Sequence, residues 1–520
     1  MARESQHAAG ARLERPGPRR APVLAVIDVG SNTVRLMVYE PSSGGGLRAI
    51  HEQKEAPRLG TDPEPDGSLS TSAMDRGLTA LKRFAQTLSS FGAIRVVGVA
   101  TSAVRDAPNG REFLSRVQES TGISLRILSG VEEAHYAYLG VASAWELDHD
   151  LVCDLGGGSL QIAEVRKGKL QNSVSLPLGV LRLTQRYLEH DPPKPREIQA
   201  LRERVRDALR SALDAFGASE YRLFGVGGTV RALARTTIRI REYPIVRVHG
   251  YPLRRRDLTA LGELLSEMPS ERRRSIPGIG ADRADVVVAG LVVFEELMGA
   301  AKVDRLTVNG TGIREGLAAE AAGAELPTTA EDLARRSVQS ASEALSFSAD
   351  HGVEVAEVAV DLFGLVSTQQ GWTPSERLAL KVAAWMHDSG IAIELWRHAR
   401  HSSYLVRNFP IWGLEQREVL LAAMVTYLHE GDPAPSSWRK EFLPVIRSED
   451  LETARRLGAI LYAAEVLAPA QPKFSLVGEG KNLNVYVSPE NAVALPPRTI
   501  EKLRKPLMRE LNLEVKLRDS

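Results

Sequence analysis

The sequence has little cysteine and no long apolar run. Cys153 is the single cysteine in 520 residues, so an internal disulfide is excluded. A chain without disulfides fits a reducing compartment, and we therefore expect a cytoplasmic protein. Because no stretch reaches the roughly 18 apolar residues of a membrane-spanning helix, we also expect no contact with a membrane.

The sequence also has little excess charge of either sign. It contains 66 Lys and Arg against 65 Asp and Glu, which leaves a net charge of +1. A near-neutral chain has no overall field that attracts nucleic acid, so no nucleic-acid partner is expected. A polyanionic substrate would have to be attracted by local arginines. Residues 1–22 are rich in Arg, Ala and Pro without an apolar core, which predicts a disordered basic tail and not a secretory signal.

One local pattern occurs twice. An apolar run over residues 23–27 stops at Asp28, and a strand-like run resumes over residues 34–39 after a short loop. Residues 151–153 are likewise apolar and stop at Asp154, and a strand-like run follows over residues 160–165. Two copies of strand, aspartate, loop and strand predict two lobes of similar build, with a ligand cleft between them.

Both loops carry groups that suit a phosphate chain. Glycine allows close backbone approach, and consecutive N–H groups together with hydroxyls can hold phosphate oxygens. An aspartate at each strand end suits Mg²⁺, with Mn²⁺ as an alternative, so Asp28 and Asp154 are the candidate metal ligands. The candidate phosphate-binding residues are Ser31, Asn32 and Thr33 in the first loop and Gly156, Gly157, Gly158 and Ser159 in the second.

Further motifs follow in a fixed order over residues 23 to 320. With them, the sequence resembles the exopolyphosphatase and guanosine pentaphosphate phosphohydrolase family, which has the actin-like, sugar-kinase-like ATPase fold. The motifs are Val26-Ile-Asp-Val-Gly-Ser-Asn-Thr-Val-Arg-Leu36, Ala100-Thr-Ser-Ala-Val-Arg105 with Asn109, Leu128-Ser-Gly-Val-Glu-Glu-Ala134, Asp154-Leu-Gly-Gly-Gly-Ser159, Ser175-Leu-Pro-Leu-Gly179, Gly225-Val-Gly-Gly-Thr229, Arg283-Ala-Asp285 and Gly312-Ile-Arg-Glu-Gly316.

The resemblance implies an α/β fold with two actin-like (ribonuclease H-like) lobes, an all-α HD-like domain and a small C-terminal α+β region. We place the lobes at residues 23–140 and 141–325, because strand-like runs disappear after about residue 326. The HD-like helical domain is then expected at 326–440 and the C-terminal region at 441–520.

The resemblance also implies roles for individual residues. Glu133 would be the general base that activates water, and Arg105 would bind the terminal phosphate. Taken alone, the pair Glu132–Glu133 is typical of a solvated helix start. Gly228 and Thr229 would line the channel for the phosphate chain. A glycine turn that serves only packing is an equally good explanation of the same residues.

One position departs from the family pattern. The second glycine loop usually continues to a glutamate, but this chain has Gln161 there. We therefore place Gln161 at the candidate metal site with Asp28 and Asp154. A neutral amide supplies no charge for a metal, so Gln161 predicts weaker Mg²⁺ binding than a glutamate would give.

The helical domain has a constellation of its own. It resembles the pattern of HD metal-dependent phosphohydrolases, in which a histidine, a His-Asp pair and a later acid bind a divalent metal. We favour the alternative, a retained scaffold that helps to bind the phosphate chain or forms a dimer surface. The candidate ligands are His351, His387, Asp388, His401, His429 and Glu465.

The expected function is therefore a Mg²⁺-dependent exophosphatase, in a homodimer, that removes terminal phosphate from inorganic polyphosphate. The nearest alternative is that the same site acts on guanosine pentaphosphate, from which it would remove the 5′-terminal phosphate. Gln161 motivates a different class, a non-catalytic sensor of polyphosphate or alarmone. A kinase of the same fold is disfavoured by Glu133 and by the lack of a sugar-recognition motif.

Overall fold

The computed structural model of the chain describes residues 23–42, 46–92, 94–214, 216, 220–470, 474–479, 482–487 and 497–519. The predicted basic tail at 1–22 lies outside the described residues. Among the helices of the described part, none is both long enough and apolar enough to cross a membrane.

The first lobe is a mixed sheet with the strand order β3-β2-β1-β4-β5. Strands β1, β2 and β3 are antiparallel neighbours, and β4 and β5 run parallel to β1. The strands are β1 Val23–Val29, β2 Val34–Pro41, β3 Leu47–Glu55, β4 Ile94–Ala100 and β5 Leu125–Ile127, and the helices are α1 Thr71–Leu88, α2 Ser102–Asp106, α3 Gly110–Thr121 and α4 Gly130–Ala142.

The second lobe repeats this topology. Its sheet has the order β10-β11-β9-β6-β7-β8, in which β8-β7-β6-β9-β11 matches the first lobe strand for strand. The predicted internal repeat is therefore confirmed. The elements are β6 His149–Leu155, β7 Leu160–Arg166, β8 Lys169–Leu176, α5 Val180–Tyr187, α6 Pro195–Asp214, β9 Arg222–Val226, α7 Gly228–Ile240, β10 Pro252–Arg254, α8 Arg255–Ser266, α9 Ser270–Arg273, α10 Val287–Ala300, β11 Arg305–Val308 and α11 Ile313–Ala321.

Helices dominate the rest of the chain, as the sequence predicted. A small sheet of order β12-β13-β14 follows these helices in the last part of the chain. The elements are α12 Ala330–Leu345, α13 Ala349–Gln370, α14 Pro374–Met386, a 3₁₀ turn Ser389–Ala392, α15 His398–Asn408, α16 Gln416–Leu428, α17 Trp438–Glu441, α18 Asp450–Leu467, a 3₁₀ turn Ala468–Ala470, β12 Phe474–Glu479, β13 Asn482–Val487, α19 Pro497–Leu511 and β14 Glu514–Asp519.

The helical region and the C-terminal sheet share one apolar core. Val355 and Leu420 belong to it together with Leu483, Leu503 and Val515 from the C-terminal segment. The boundary that we expected at 440/441 therefore does not coincide with a break in the core. The placement of the domain boundaries stays a prediction.

An aromatic contact joins the second lobe to the helical region. Trp145 stacks on His249 with ring centroids 4.9 Å apart, and Trp412 meets the same imidazole edge-on at 4.6 Å. Next to this stack, the backbone N–H of Gly413 donates to the carbonyl of Ala144 at 2.9 Å. Buried aromatic pairs of this geometry add to the stabilisation from burial alone, so the helical region is fixed to the lobe.

Two helices cross where the lobes meet, and their backbones touch. A Cβ added at Gly140 of α4 would lie 2.0 Å from the carbonyl oxygen of Gly312, and one at Gly316 of α11 would lie 2.1 Å from that of Tyr136. Carbon and oxygen atoms cannot approach so closely, so only glycine fits at this crossing.

This crossing predicts opposite effects for two Gly→Ala substitutions. Gly140→Ala should lower the thermal midpoint, because overpacking against fixed backbone costs about 1–3 kcal/mol. Gly364→Ala is the matched control, since Gly364 is an exposed glycine inside α13 with open space around it. Alanine there should leave the midpoint unchanged or raise it. Differential scanning fluorimetry measures both, and an unchanged midpoint in Gly140→Ala would show that the crossing tolerates a side chain.

Candidate active site

The two aspartates occupy equivalent positions in the two sheets. Asp28 lies directly opposite Arg35 in the β1–β2 pair, and Asp154 lies directly opposite Gln161 in the β6–β7 pair. Directly opposite residues of antiparallel strands point to the same face, so each aspartate has its partner beside it. The position that holds Gln161 in the second lobe therefore holds an arginine in the first.

The two predicted loops meet at the floor of a cleft. A Cβ at Gly157 would lie 2.9 Å from Cβ of Ser31, and one at Gly158 would lie 2.4 Å from Oγ of Ser102. The hydroxyls of Ser31 and Ser102 are hydrogen bonded at 2.8 Å. Glycine is required at both positions because the loop of one lobe touches the loop of the other.

Most of the predicted site residues line one small cavity of about 110 Å³ between the lobes. Three do not line it. Gly158 packs behind its loop against Gly179, Thr229 is buried beside Arg283, and Arg105 reaches the cavity through Glu133. The predicted residues that line it are Asp28, Ser31, Asn32, Thr33, Glu133, Asp154, Gly156, Gly157, Ser159, Gln161 and Gly228.

The capping of α4 gives its two adjacent glutamates different roles. Ser129 and Glu132 form a capping box, in which the Glu132 carboxylate accepts from the Ser129 N–H at 2.7 Å. Glu133 points into the cleft, is only 4% exposed and forms an ion pair with Arg105. Burial raises the pKa of Glu133 to about 7, against the opposing effect of Arg105. A carboxyl with a pKa near neutrality can accept a proton from water at cellular pH.

Four further arginines surround the cleft, and sequence reasoning assigned none of them. Each lies within a quoted motif or close after one, which was the signal that could have identified them. Their charges explain how buried carboxylates are tolerated here, since buried ions require partners. The four are Arg35, Arg231, Arg283 and Arg314, and all of them line the cavity.

These arginines are held by the protein as well as by the acids. Arg35 and Arg314 both donate to Glu52, at 2.8 and 3.2 Å, and Arg231 donates to the carbonyl of Gly310 at 3.1 Å. Burial lowers the pKa of Arg231 to about 9. A guanidinium that is fixed and poorly hydrated favours an incoming phosphate anion.

The aspartates fit a hard divalent cation. Burial raises the pKa of Asp28, and it raises that of Asp154 to about 6, where the charge of Asp28 adds to the effect. A cation between them would offset this cost. Among the described residues, the cleft carboxylates do not form a set of three with their ligand atoms within 4.8 Å. Mg²⁺ accepts such a site, because it usually keeps waters and substrate phosphate oxygens beside one or two carboxylates.

Gln161 supports the second loop. It is 2% exposed, and its amide nitrogen donates to the hydroxyls of Ser159 and Ser175 at 2.8 and 3.0 Å. The amide thus fixes Ser159 of the glycine loop beside Asp154. Its contribution to the site is a pair of hydrogen bonds, where a glutamate would add a charge.

The candidates in the helical domain come together with one exception. His351, His387 and Asp388 have ligand atoms within 4.8 Å of one another, and Nε2 of His429 lies 3.6 Å from a Glu465 oxygen. His401 instead faces Glu394, with Nε2 3.5 Å from its carboxylate. The histidine that sequence reasoning missed is His398, whose Nε2 is 3.2 Å from Asp388. His398 is the first residue of α15, one turn before His401. To choose between the two histidines, one would have to know where this helix begins.

A two-lobed fold with two aspartate loops, a buried cleft carboxyl and several arginines is typical of phosphoryl-transfer proteins. The family model of the Ppx/GppA phosphatase family matches residues 37–325, and the model of Ppx/GppA phosphatase domain III matches residues 334–479. The chain belongs to the Ppx/GppA phosphatase family.

Relatives and solved structures agree with this membership. Exopolyphosphatase 1 of Mycobacterium tuberculosis is 33% identical over 305 residues, which cover 56% of this chain and 86% of that protein. The crystal structure of the Aquifex aeolicus Ppx/GppA family member is 30% identical with a TM-score of 0.50, and covers 58% of this chain and 97% of that one. An exopolyphosphatase from Cytophaga hutchinsonii is 26% identical with a TM-score of 0.55 over 58% and 99%. The expected fold class and the phosphoanhydride hydrolase class are confirmed.

The Arg105–Glu133 pair predicts a pH effect. Only the ionised carboxylate accepts a proton, so the rate of phosphate release should rise with pH through about 7. Arg105 stabilises that ionised form. Arg105→Gln should therefore raise the pKa of Glu133 and move the rising limb of kcat/KM to higher pH, by about 1–3 units.

The control is Arg116→Gln, because Arg116 forms an exposed ion pair with Asp75 at 2.7 Å on the outside of the same lobe. Its pH profile should match that of the wild type. An unshifted limb in Arg105→Gln would show that Glu133 is not the group that titrates.

Proposed function

We propose that this protein is an exopolyphosphatase that releases orthophosphate from the end of an inorganic polyphosphate chain. The observation that carries this proposal is Glu133, a buried carboxyl with a pKa of about 7 that faces a cleft lined by two aspartate–glycine loops and by arginines. The relatives of this chain that are named exopolyphosphatase support the same substrate.

In the proposed reaction, water attacks the terminal phosphorus and gives a proton to Glu133. The bond between that phosphorus and the bridging oxygen breaks, and the shortened chain leaves with the oxygen. Arg105 and Arg283 would neutralise charge on the terminal phosphate, and the N–H group of Gly157 in the glycine loop would bind one of its oxygens. Positioning and electrostatics are the main contributions a protein makes to this chemistry.

We assign Mg²⁺, with Mn²⁺ as the alternative, to Asp28 and Asp154. When bound, the cation neutralises charge on the phosphate oxygens. Gln161 would act beside it by holding Ser159 in place. The arrangement of these residues in one cavity supports this assignment.

The relatives named exopolyphosphatase favour polyphosphate over guanosine pentaphosphate. A cavity of about 110 Å³ has room for one phosphate group, which both substrates present at their end. Guanosine pentaphosphate remains the second candidate, because its 5′-terminal phosphate presents the same group. A buried carboxyl with a pKa near neutrality in a cleft is typical of catalytic sites, so it favours an enzyme over the non-catalytic sensor.

We also retain the proposals of a homodimer and of a cytoplasmic location. The segment between the 3₁₀ turn Ser389–Ala392 and α15 supports the homodimer. It exposes Ile393, Leu395 and Trp396, at 58, 60 and 77%, and an exposed apolar patch of this kind is typical of a protein interface.

The neighbouring glutamates provide a matched test of the base. Glu133→Gln should lower the rate of phosphate release by roughly 10²–10⁴-fold, because it removes general-base assistance. Glu132→Gln should keep the rate, since glutamine also completes a capping box. Phosphate release from polyphosphate and from guanosine pentaphosphate is measured for both variants. Equal rates in Glu133→Gln and wild type would exclude Glu133 as the base, and binding of polyphosphate without release by the wild type would favour the sensor.

Gln161→Glu tests the metal assignment. A carboxylate opposite Asp154 adds charge where the cation would bind, so we expect a lower Mg²⁺ concentration at half-maximal activity. The hydroxyls of Ser159 and Ser175 can donate to the new carboxylate, so the loop should keep its position. Gln171→Glu, on the exposed face of β8, is the control and should leave the Mg²⁺ titration unchanged. A midpoint that does not move in Gln161→Glu places the cation away from β7.

A further inference from the structure

The ends of several helices bring ionisable side chains together inside the helical region, far along the chain from the cleft. His351 comes from α13, the pair His387–Asp388 follows α14, and His398 starts α15. We refer to the whole group as the histidine cluster; its members are His351, His387, Asp388, His398, His429 at the end of α16 and Glu465 of α18.

The backbone fixes how the two buried imidazoles are oriented. Nδ1 of His387 lies 2.7 Å from the carbonyl oxygen of Ala384, and Nδ1 of His429 lies 2.6 Å from that of Thr426. A carbonyl oxygen only accepts hydrogen bonds, so Nδ1 carries the hydrogen in both rings. In the neutral ring, Nε2 therefore presents a lone pair. This is the arrangement found in metal-binding histidines, whose other nitrogen donates to a carbonyl or carboxylate.

Among the described residues, no hydrogen-bond donor faces the Nε2 lone pair of either ring. His387 and His429 are 1% and 2% exposed, and within the described part of the chain Nε2 of each is buried without a hydrogen-bond partner. A buried polar atom without a partner costs free energy and is rare. Two such atoms in one cluster, from rings whose centroids are 5.7 Å apart, indicate a missing ligand.

The carboxylates lie at distances that suit a shared ion. Oxygens of Asp388 are 3.5 Å from Nε2 of His387, 3.2 Å from that of His398 and 3.7 Å from that of His351. Two atoms that each bind one ion at about 2.0–2.2 Å lie roughly 3–3.5 Å apart. The separations in the cluster are close to this range, and most exceed those of direct hydrogen bonds.

We propose that the histidine cluster is a second metal centre, which binds a divalent transition metal through imidazole nitrogens and the Asp388 carboxylate. Imidazole with carboxylate suits Zn²⁺, Mn²⁺ or Fe²⁺, whereas Mg²⁺ prefers oxygen ligands alone. The contrast with the cleft is chemical, because the cleft offers the proposed Mg²⁺ only oxygen.

A second group of possible metal ligands differs from the histidine cluster, because its histidine already has a hydrogen-bond partner. Glu189, His190 and Glu197 also lie within 4.8 Å of one another, but Nδ1 of His190 is hydrogen bonded to Glu197 at 2.5 Å. Glu189 and His190 are exposed. That group needs no ion, since the histidine already has its carboxylate partner.

A cavity beside the histidine cluster indicates the ligand that the metal would meet. It has a volume of about 650 Å³, and His429 and Glu430 form part of its wall. Arg455, Lys505 and Arg509 line it too, together with Asp432 and Glu510, so cationic side chains share the cavity with His429 of the cluster. A metal beside cationic side chains is the arrangement that binds phosphate oxygens. The class of ligand assigned to this centre is therefore a small phosphate-bearing molecule, distinct from the chain that enters the cleft.

Metal analysis of the full chain tests the proposal. The protein is stripped with chelator, loaded with Co²⁺ or Zn²⁺ and passed through a desalting column before elemental analysis. The wild type should retain about one ion per chain, and His387→Asn and His429→Asn should each reduce this at least about tenfold. Bound Co²⁺ should give a visible absorption band, which added inorganic phosphate shifts.

His401→Asn is the matched control, because His401 lies in the same domain but faces Glu394. It should retain the metal. His351→Asn, at the partly buried edge of the cluster, provides a variant for which folding is not at risk. Release of phosphate in the cleft should persist in all four variants, so failure here is separable from failure of the proposed function.

Two results would overturn the metal centre: a wild type that retains no transition metal, or a metal content that is equal in wild type, His351→Asn and His387→Asn. A Co²⁺ band that inorganic phosphate leaves unchanged would overturn the assigned class of ligand. Loss of fold in His387→Asn, monitored by circular dichroism, leaves His351→Asn to decide the question.

Discussion

Contact between the two glycine loops is the constraint on which the site depends. A side chain at Gly157 or Gly158 would displace the side chains of Ser31 and Ser102. Gly179 lies just as close behind, where a Cβ would be 2.1 Å from the carbonyl carbon of Gly158. The two Asp loops can therefore face one another only at this spacing. The internal repeat supplies two equivalent loops, and the glycines allow them to share one ligand.

Positive charges offset the free-energy cost of bringing the acidic side chains of the two loops together. Several buried carboxyl groups meet in the cleft, and burial raises the pKa of Asp28, Asp154 and Glu133. Arginines from both lobes counter that effect, and ion pairs such as Lys54–Asp282, at 2.6 Å, connect the lobes across the cleft. The charges around each carboxyl group set its pKa. They give Glu133 a pKa near neutrality, which suits a base, and leave Asp28 and Asp154 side by side, which suits a cation.

Sequence reasoning was most successful where a local pattern determines the structure. The apolar runs that stop at Asp28 and Asp154 are strands, and the loss of strand-like runs after about residue 326 marks the start of the helical region. It failed where tertiary contact decides. Arg231 and Arg314 reach the cleft because separate helices start at its rim. Each lies in or beside a quoted motif, but the motif alone does not say where the side chain points. In the same way, His398 and His401 sit on one helix, and only the packing of that helix selects between them. The roles of Glu133 and Arg105 came from family resemblance, since adjacent glutamates alone indicate little.

The lone cysteine has a practical consequence. Cys153 lies inside β6 with no exposed surface, and burial raises the pKa of its thiol, so almost none of it is thiolate. Thiolate is the reactive form. For maleimide and spin-label chemistry, the native chain therefore behaves as though it had no cysteine. A pair of cysteines introduced on helices α1 and α6 would take probes selectively, and the distance between the probes would report the spacing of the two lobes with and without substrate.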